Sequence, residues 1–171
     1  VKSAEQTAQA TLARYQSGFG TILDLITAQQ DESNARTQRI QSYLDWYTVL
    51  ARLNLAVLLL QLGQLEDAEQ LCRQATTVAP EIGLGWYNLG LIRRRQGNLA
   101  GALEAYREAR RVQPEHPETH QNLAVAQLLG GDIEGARASF RQAITLLGQR
   151  GRHDEARHLH QQASALVKLE A

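Results

Sequence analysis

The chain has 171 residues, and its 18 basic and 18 acidic residues give a formal net charge of zero at pH 7. This length suits one domain with a hydrophobic core, or a short repeat array with an attached helical segment. The balanced charge argues against the broad basic surface that nucleic-acid-binding proteins present to phosphates, so we expect no nucleic-acid partner.

Two further features bear on membranes and on a parent protein. The longest uninterrupted apolar run, residues 55–60, is far shorter than the ~20 residues that a membrane-spanning helix needs. The sequence also contains no methionine and begins with Val1. We therefore expect a fragment or processed product that meets a membrane only through a longer parent chain.

Two helices are predicted in the first part of the chain. Residues 4–16 form the first helix, and glycines end it. Thr21 and Asp24 have the spacing of a capping box, in which each side chain bonds the backbone of the other, so a second helix begins here. Neither glycine nor proline occurs between Gly20 and Gly63, which allows a helix of roughly 40 residues, about 60 Å long at 1.5 Å per residue.

The apolar side chains of this long helix are concentrated at its ends, whereas residues 29–38 are almost wholly polar. A helix of this length favours a coiled-coil arm. We therefore predict that residues 1–48 form a helical hairpin through which copies of the chain self-associate.

Residues 14–29 contain the pattern Tyr-x-x-Gly-x-x-Thr-Ile-Leu-Asp, which begins at Tyr15. The match continues along the long helix at Asn34, Ala35, Arg39, Tyr43, Asp45, Tyr47, Ala51, Arg52 and Leu53. Residues 1–56 thereby resemble the final helical hairpin of TolC-like outer-membrane efflux proteins. The resemblance implies a parent chain with an efflux-type tunnel in the periplasm or cell envelope of a Gram-negative bacterium. Without it, a cytoplasmic location is the alternative.

From residue 49 onward the sequence repeats with a period of 34 residues. Asn54, Asn88 and Asn122 recur at this spacing, each within a short apolar stretch. Nine residues after each asparagine a first helix must end at a positive φ, which glycine adopts without strain, and the glycines there are Gly63, Gly97 and Gly131. Alanines seven residues apart follow each glycine, and such small residues allow a second helix to pack closely against the first.

The middle unit carries the fullest set of signature residues: Trp86, Leu89, Gly90, Gly97, Ala102, Tyr106, Ala109 and Pro114. With these residues in this register, residues 49–171 resemble the tetratricopeptide-repeat (TPR) family. The resemblance implies an all-α fold, an α-solenoid of three helix-turn-helix repeats over 49–82, 83–116 and 117–150. Residues 151–171 repeat only the second-helix pattern, so we expect a capping helix over the last repeat.

In TPR proteins the first helices of successive repeats line a concave groove, so the resemblance implies a protein–protein interaction scaffold that binds a peptide or helix. Ten residues are predicted to line this groove: Leu53, Asn54, Val57, Tyr87, Asn88, Leu91, Arg94, Gln121, Asn122 and Val125. An asparagine amide has both donors and an acceptor, and can grip the backbone of an extended peptide. The alternative is that these asparagines brace their own helices.

Arg93, Arg94 and Arg95 end the first helix of the middle repeat. They would suit an acidic partner, or they complement the dipole at the end of their own helix. The groove lacks the full set of lysines and arginines with which chaperone-tail-binding TPR adaptors clamp a terminal carboxylate. We therefore do not transfer that function.

We predict no enzyme activity, no metal site and no cofactor. His153, His158 and His160 are not spaced to share a helix face. His116 and His120 have the required spacing, but they lie at a helix start where surface residues are expected.

Cys72 occupies the slot that Tyr106 and Phe140 hold in the other two units. This equivalence predicts a small core residue and not a reactive thiolate. The leading functional hypothesis is a peptide-binding scaffold. The alternative is the C-terminal part of a TolC-family efflux protein whose periplasmic TPR domain docks partners, and a third is self-assembly, with the groove of one copy receiving residues 1–48 of another.

Overall fold

Eight α-helices make up the part of the chain that the computed structural model describes, residues 2–167. They are α1 (Lys2–Gln16), α2 (Ile22–Gln61), α3 (Leu65–Val78), α4 (Gly83–Arg95), α5 (Leu99–Val112), α6 (Pro117–Leu129), α7 (Ile133–Gln149) and α8 (His153–Val167). No β-strand occurs among these described residues. The predicted all-α helical-repeat fold is confirmed.

The chain divides between Thr48 and Val49 into two compact units, and α2 contributes residues to both. In the first unit α2 begins with reciprocal hydrogen bonds. The Asp24 N–H donates to Thr21 Oγ1 at 3.1 Å, and the Thr21 N–H donates to Asp24 Oδ2 at 3.0 Å. The predicted capping box is therefore present, and it satisfies two N–H groups that the start of the helix leaves without intrahelical partners.

Few apolar side chains of the first unit are buried. Ala8 and Ala28 are 6% and 7% exposed, whereas Ile40, Tyr43 and Leu44 are 60%, 53% and 54% exposed. The segment of α2 around residues 40–44 therefore carries a large exposed apolar surface. Self-association through residues 1–48 stays a prediction, and a measurement of the molar mass in solution would test it.

By length and composition alone, α2 is long and apolar enough to cross a membrane, since an 18-residue window within it has a mean hydropathy of 1.3. The expectation rested on uninterrupted apolar runs, whereas a window average tolerates interspersed polar residues. In the structure, the C-terminal part of α2 instead provides Val49, Leu53, Ala56 and Leu60 to the core of the second unit.

The second unit is built from helix pairs joined by one kind of turn. Gly63, Gly97 and Gly131 have φ values of 79°, 79° and 80°. The residue after each glycine donates its N–H back across the turn, as Asn98 does to the Arg93 carbonyl at 2.9 Å. The positive φ predicted from the sequence is thus confirmed, and it lets the second helix run back along the first.

The same turn recurs after α7. Gly151 has a φ of 74°, and the Arg152 N–H donates to the Leu147 carbonyl at 2.9 Å. Helix α7 has 17 residues, whereas α3 and α5 have 14 each. The third repeat therefore passes into α8 through a tight turn, where the earlier repeats have proline-containing linkers.

Those linkers are held by a side chain from the following first helix. Trp86 Nε1 donates to the Pro80 carbonyl at 2.9 Å, and His120 Nε2 lies 2.7 Å from the Pro114 carbonyl in the next repeat. Since a carbonyl only accepts, His120 Nε2 is the donor. His120 is 5% exposed, so the expectation that it is a surface residue is wrong.

Small side chains form the seam between first and second helices. Six alanines at repeat-equivalent positions are at most 1% exposed: Ala68, Ala75, Ala102, Ala109, Ala136 and Ala143. Cys72, Tyr106 and Phe140 fill equivalent slots and are 0%, 0% and 2% exposed. Burial raises the pKa of the Cys72 thiol to about 12. Cys72 is therefore a protonated core residue at neutral pH.

Gly90 is required by the side chain packed against it. A Cβ atom at residue 90 would lie 2.5 Å from Cε1 and 2.6 Å from Cδ1 of Tyr106. Both atoms belong to a rigid, fully buried ring, so α4 and α5 would have to move apart to accept even a methyl group.

We expect Gly90→Ala to lower the free energy of unfolding by about 1–3 kcal/mol through this overlap. The matched control is Gly148→Ala within α7, where a Cβ atom would meet nothing within 4 Å. That change should be neutral or stabilising by about 0.5–1 kcal/mol, because alanine loses less backbone entropy than glycine in a helix. Urea unfolding of the full chain measures both, and equal midpoints would contradict the packing argument.

Candidate peptide-binding groove

The residues predicted to line a groove lie on three first helices. Leu53, Asn54 and Val57 are on the C-terminal part of α2, four are on α4 (Tyr87, Asn88, Leu91 and Arg94), and three are on α6 (Gln121, Asn122 and Val125). Helices α4 and α6 contact each other directly, although α5 separates them in sequence. This contact brings the first helices of successive repeats side by side.

The predicted groove residues differ in how deeply they are buried. Leu53 is fully buried against the core of the second unit, so it cannot touch a ligand in this conformation. Asn88 is 3% exposed, whereas Asn54 is exposed. The remaining seven are half-buried: Val57, Tyr87, Leu91, Arg94, Gln121, Asn122 and Val125. The three repeat-equivalent asparagines therefore occupy three different environments.

Asn122 is tied into its own protein. Its Oδ1 accepts from Arg94 Nη2 at 3.4 Å, and its Nδ2 donates to the Glu118 carbonyl at 2.9 Å and to the Tyr87 hydroxyl at 3.3 Å. The bonds to Arg94 and Tyr87 link α6 to α4. In the free protein this amide braces neighbouring helices, and both of its ends are in use.

Asn88 Nδ2 is buried without a hydrogen-bond partner among the described residues, whereas the Arg94 guanidinium and the buried Tyr106 hydroxyl interact with each other. Burial raises the pKa of Tyr106 to about 12, and the nearby Arg94 guanidinium opposes that rise. Tyr87 also has a raised pKa, chiefly through burial and then through the Glu118 charge. Both tyrosines therefore keep their hydroxyl protons at neutral pH.

The three consecutive arginines of α4 have different surroundings. Arg93 Nε pairs with Glu69 Oε1 at 2.9 Å, and Arg95 Nη1 donates to the Leu60 carbonyl at 3.0 Å. These two side chains thus fasten α4 to the preceding repeat. Arg94 pairs with no carboxylate among residues 2–167, and it interacts there with Asn122 Oδ1 and with the Tyr106 hydroxyl.

Charged side chains of α6 and at the start of α8 form a cluster of ion pairs. Arg152 Nη1 lies 2.6 Å from Glu118 Oε1, and Arg152 Nη2 lies 2.6 Å from Glu155 Oε2. A shallow cavity between α6 and α8 is lined by Gln121 together with Glu118, Leu147, Arg152 and Leu159. Gln121 therefore faces α8.

Two further observations concern a second cavity and metal binding. A cavity lined by residues of α2 and α3, including Arg52, Glu69 and Arg73, contains none of the ten predicted groove residues. Within residues 2–167, no group of three or more His, Cys, Asp or Glu side chains could hold a metal ion.

Together, the helical hairpins, the buried alanine seam and the adjacent first helices define a helical-repeat protein. Models of the tetratricopeptide repeat match residues 48–79 and 87–150. The chain belongs to the tetratricopeptide-repeat family. No curated protein matches the chain.

Solved structures share this fold. The Yersinia enterocolitica type III secretion translocator chaperone SycD is 19% identical, with a TM-score of 0.65 over 70% of this chain and 83% of that chain. PcrH bound to the chaperone-binding region of PopD is 22% identical, with a TM-score of 0.65 over 70% and 90%. A Thermobaculum terrenum O-GlcNAc transferase is 26% identical, with a TM-score of 0.57 over 60% of this chain and 20% of that chain.

Asn122→Ala should lower the free energy of unfolding by about 1–2 kcal/mol, because Tyr87, Arg94 and the Glu118 carbonyl lose partners in a part-buried setting. Asn54→Ala, at an exposed site, is the matched control and should change it by less than about 0.5 kcal/mol. Urea titration followed by circular dichroism measures both. If the two variants were equally stable, Asn122 would not brace the helices.

Stability should also depend on the charge of His120. Burial, helped by the Arg110 charge, lowers the pKa of His120 below its ordinary value, while the Pro114 carbonyl opposes this. The unfolded chain then binds a proton more readily, so stability is full above about pH 6.5 and falls as the pH drops below it. Burial lowers the pKa of His116 in the same direction.

His120→Gln should flatten this pH dependence, because glutamine can still donate to the Pro114 carbonyl and does not titrate. Unfolding free energies at about pH 7.5 and about pH 5.5 provide the comparison. His116 should retain part of the slope in the variant. An unchanged slope would show that His120 has a similar pKa in the folded and unfolded chains.

Proposed function

We propose that the repeat unit, from residue 49 onward, binds a peptide segment of a partner protein against its first helices. The observation that carries this proposal is a row of half-buried valine and leucine side chains at one repeat-equivalent position. Val57, Leu91 and Val125 recur every 34 residues and lie on α2, α4 and α6. An apolar row with a polar margin suits a peptide that presents apolar side chains.

Solved structures of similar fold support this proposal because several of them are complexes with a segment of another protein. PcrH is seen with the chaperone-binding regions of PopD and of PopB, and SycD with a peptide of the translocator YopD. The TPR2B domain of yeast Sti1 is seen with an Hsp70 peptide complex. These partners belong to those proteins, and for the present chain they favour a short peptide segment as the ligand class.

The asparagines are proposed to contribute unequally. Asn54 is exposed and available to a peptide backbone, and Asn88 has an unpaired Nδ2. Asn122 already bonds Arg94, Tyr87 and the Glu118 carbonyl. A uniform grip on the ligand backbone by all three amides would require Asn122 to exchange these partners.

The alternative role in an efflux tunnel rests on the TolC-like resemblance of residues 1–56. The matching TPR models leave residues 1–47 uncovered, and the comparisons give the resemblance no support. The periplasmic location depends on that resemblance and is equally unsupported. Self-association through residues 1–48 remains a prediction from the sequence.

A random-peptide display library tests the groove. Peptides enriched on the full chain should bind the double variant Val57→Ser, Val125→Ser at least about tenfold more weakly, because each change removes apolar contact area. Val78→Ser on α3 is the matched control, since Val78 is 51% exposed on a second helix. Circular dichroism must show that all variants are folded.

Equal affinity for the double variant and the wild type would place the binding surface away from the first helices. Loss of binding in the Val78→Ser control would have the same meaning. The result that supports the proposal is selective loss in the double variant.

A further inference from the structure

The first helix of the first repeat exposes a row of apolar side chains. Leu55, Leu58 and Leu62 are 48%, 55% and 74% exposed, and Ala51, four residues before Leu55, is exposed too. Leu62 directly follows the last residue of α2, and its N–H donates to the Leu58 carbonyl at 3.0 Å, as in a helix. The spacings of four, three and four residues put these side chains on one face of the helix. We call this surface of four residues the leucine face.

The leucine face lies on the side of the helix that points away from the core. Each of its residues follows a core residue by two positions, and these core residues are Val49, Leu53, Ala56 and Leu60. Two positions correspond to about 200° around a helix with 3.6 residues per turn. Substitutions on the leucine face therefore leave the core contacts of the second unit in place.

The equivalent positions of the second and third repeats are covered by another helix. They are Gly85, Leu89 and Ile92 on α4, and Thr119, Leu123 and Ala126 on α6, and all six are buried. The second helix of the preceding repeat packs against them, α3 against α4 and α5 against α6. This register of the repeat is thus built for helix packing, and the first repeat leaves it open.

The leucine face and its margins carry no charge. No charged residue occurs between Arg52 and Glu66, and the polar side chains there are neutral amides. Arg52 is half-buried and lines the cavity that also contains Glu66 and Glu69 of α3. When two copies of a surface meet about a twofold axis, identical groups come together, so a charged surface would repel itself. The uncharged leucine face can instead pair with its own copy.

We propose that the leucine face binds the leucine face of a second copy of this chain, with the two helices antiparallel about a twofold axis. The spacings of four, three and four residues read the same in both directions, so Leu55 lies opposite Leu58 of the partner subunit. Ala51 then lies opposite Leu62 of the partner subunit, a small side chain against a large one. A parallel pair would set Ala51 against Ala51 of the partner subunit and leave a gap at that end.

This association uses a surface of its own. It involves neither the proposed peptide groove nor residues 1–48, whose self-association is a separate prediction. Far fewer side chains meet than the roughly 20–30 residues a side of a stable interface. We therefore expect a reversible dimer with a dissociation constant on the order of 10–100 µM.

The double variant Leu55→Glu, Leu58→Glu tests the pairing in the full chain. Pairing would bring carboxylates of the two copies together, so the variant should remain monomeric at about 200 µM, where the wild type is largely dimeric. Light scattering at low ionic strength measures both masses, and circular dichroism checks that the variant is folded. The matched control is Ile40→Glu, Leu44→Glu, whose side chains are 60% and 54% exposed in the first unit. The control should dimerise as the wild type does.

A variant of opposite charge separates lost pairing from damaged folding. Leu55→Lys, Leu58→Lys should also be monomeric alone, because it places ammonium groups together. An equimolar mixture of the two charged variants should form a one-to-one dimer through opposite charges. A mixture in which both folded proteins stay monomeric would overturn the interface.

The variant Leu55→Glu, Leu58→Lys reports the direction of the two helices. Antiparallel helices place each new carboxylate opposite a new ammonium group, so this dimer should persist. Parallel helices would place like charges opposite each other. A monomeric variant would therefore overturn the antiparallel pairing.

Three further outcomes would contradict the proposal. One is a wild type that remains monomeric up to about 1 mM, and another is a dimer that survives Leu55→Glu, Leu58→Glu. Loss of the dimer in the Ile40→Glu, Leu44→Glu control, with the leucine-face variant unaffected, would assign the association to residues 1–48. Binding of a monomeric wild type to phosphatidylcholine vesicles would identify a lipid surface as the occupant. None of these results depends on whether the groove binds a peptide.

Discussion

The contact between the Tyr106 ring and the bare backbone of Gly90 connects the fold to the candidate site. It lets α4 and α5 approach at a distance that a single methyl group would prevent. The same ring carries its hydroxyl into the buried region beside Arg94. One aromatic side chain therefore sets the spacing of the middle hairpin and places its hydroxyl against Arg94.

Helix α4 has a central place in the repeat unit, since it contacts α3, α5 and α6. Arg93 and Arg95 fasten it to the repeat before, and Tyr87 and Arg94 join it to the repeat after. In a solenoid each repeat is stabilised mainly by its neighbours. The bonds of Arg94 and Tyr87 to Asn122 are therefore part of the interface through which the second and third repeats support each other.

The 34-residue period was sufficient to predict the hairpins, their turns and the alanine seam, because these depend on residue types that recur at every repeat. The period could not predict that side chains at the same position of different repeats are buried to different extents. Asn54, Asn88 and Asn122 share a register, yet one is exposed, one is buried and one is bonded on both sides. Their environments depend on neighbouring side chains that differ between repeats.

One feature missed in the sequence had a readable signal. His120 lies 34 residues after Trp86, and each follows a linker proline by six residues, which was enough to predict a shared bond to the proline carbonyl. The different surroundings of Arg93, Arg94 and Arg95 had no such signal, since they depend on which acceptors other side chains occupy. Only the assembled side chains show that Glu69 and Glu118 are already paired.

The tight turn at Gly151 has a consequence for lengthening the array. Along the repeats, a turn of this kind leads from a first helix to a second, and a proline-containing linker leads from a second helix to the next first helix. After α7 the turn stands where a linker is due, so α8 leaves the array in the wrong phase for another repeat. An engineered fourth repeat would have to replace the segment around residues 148–152 with a linker like residues 113–116. In this way the turn pairs α7 with α8 as a hairpin, whereas each earlier second helix passes through a linker to the next first helix.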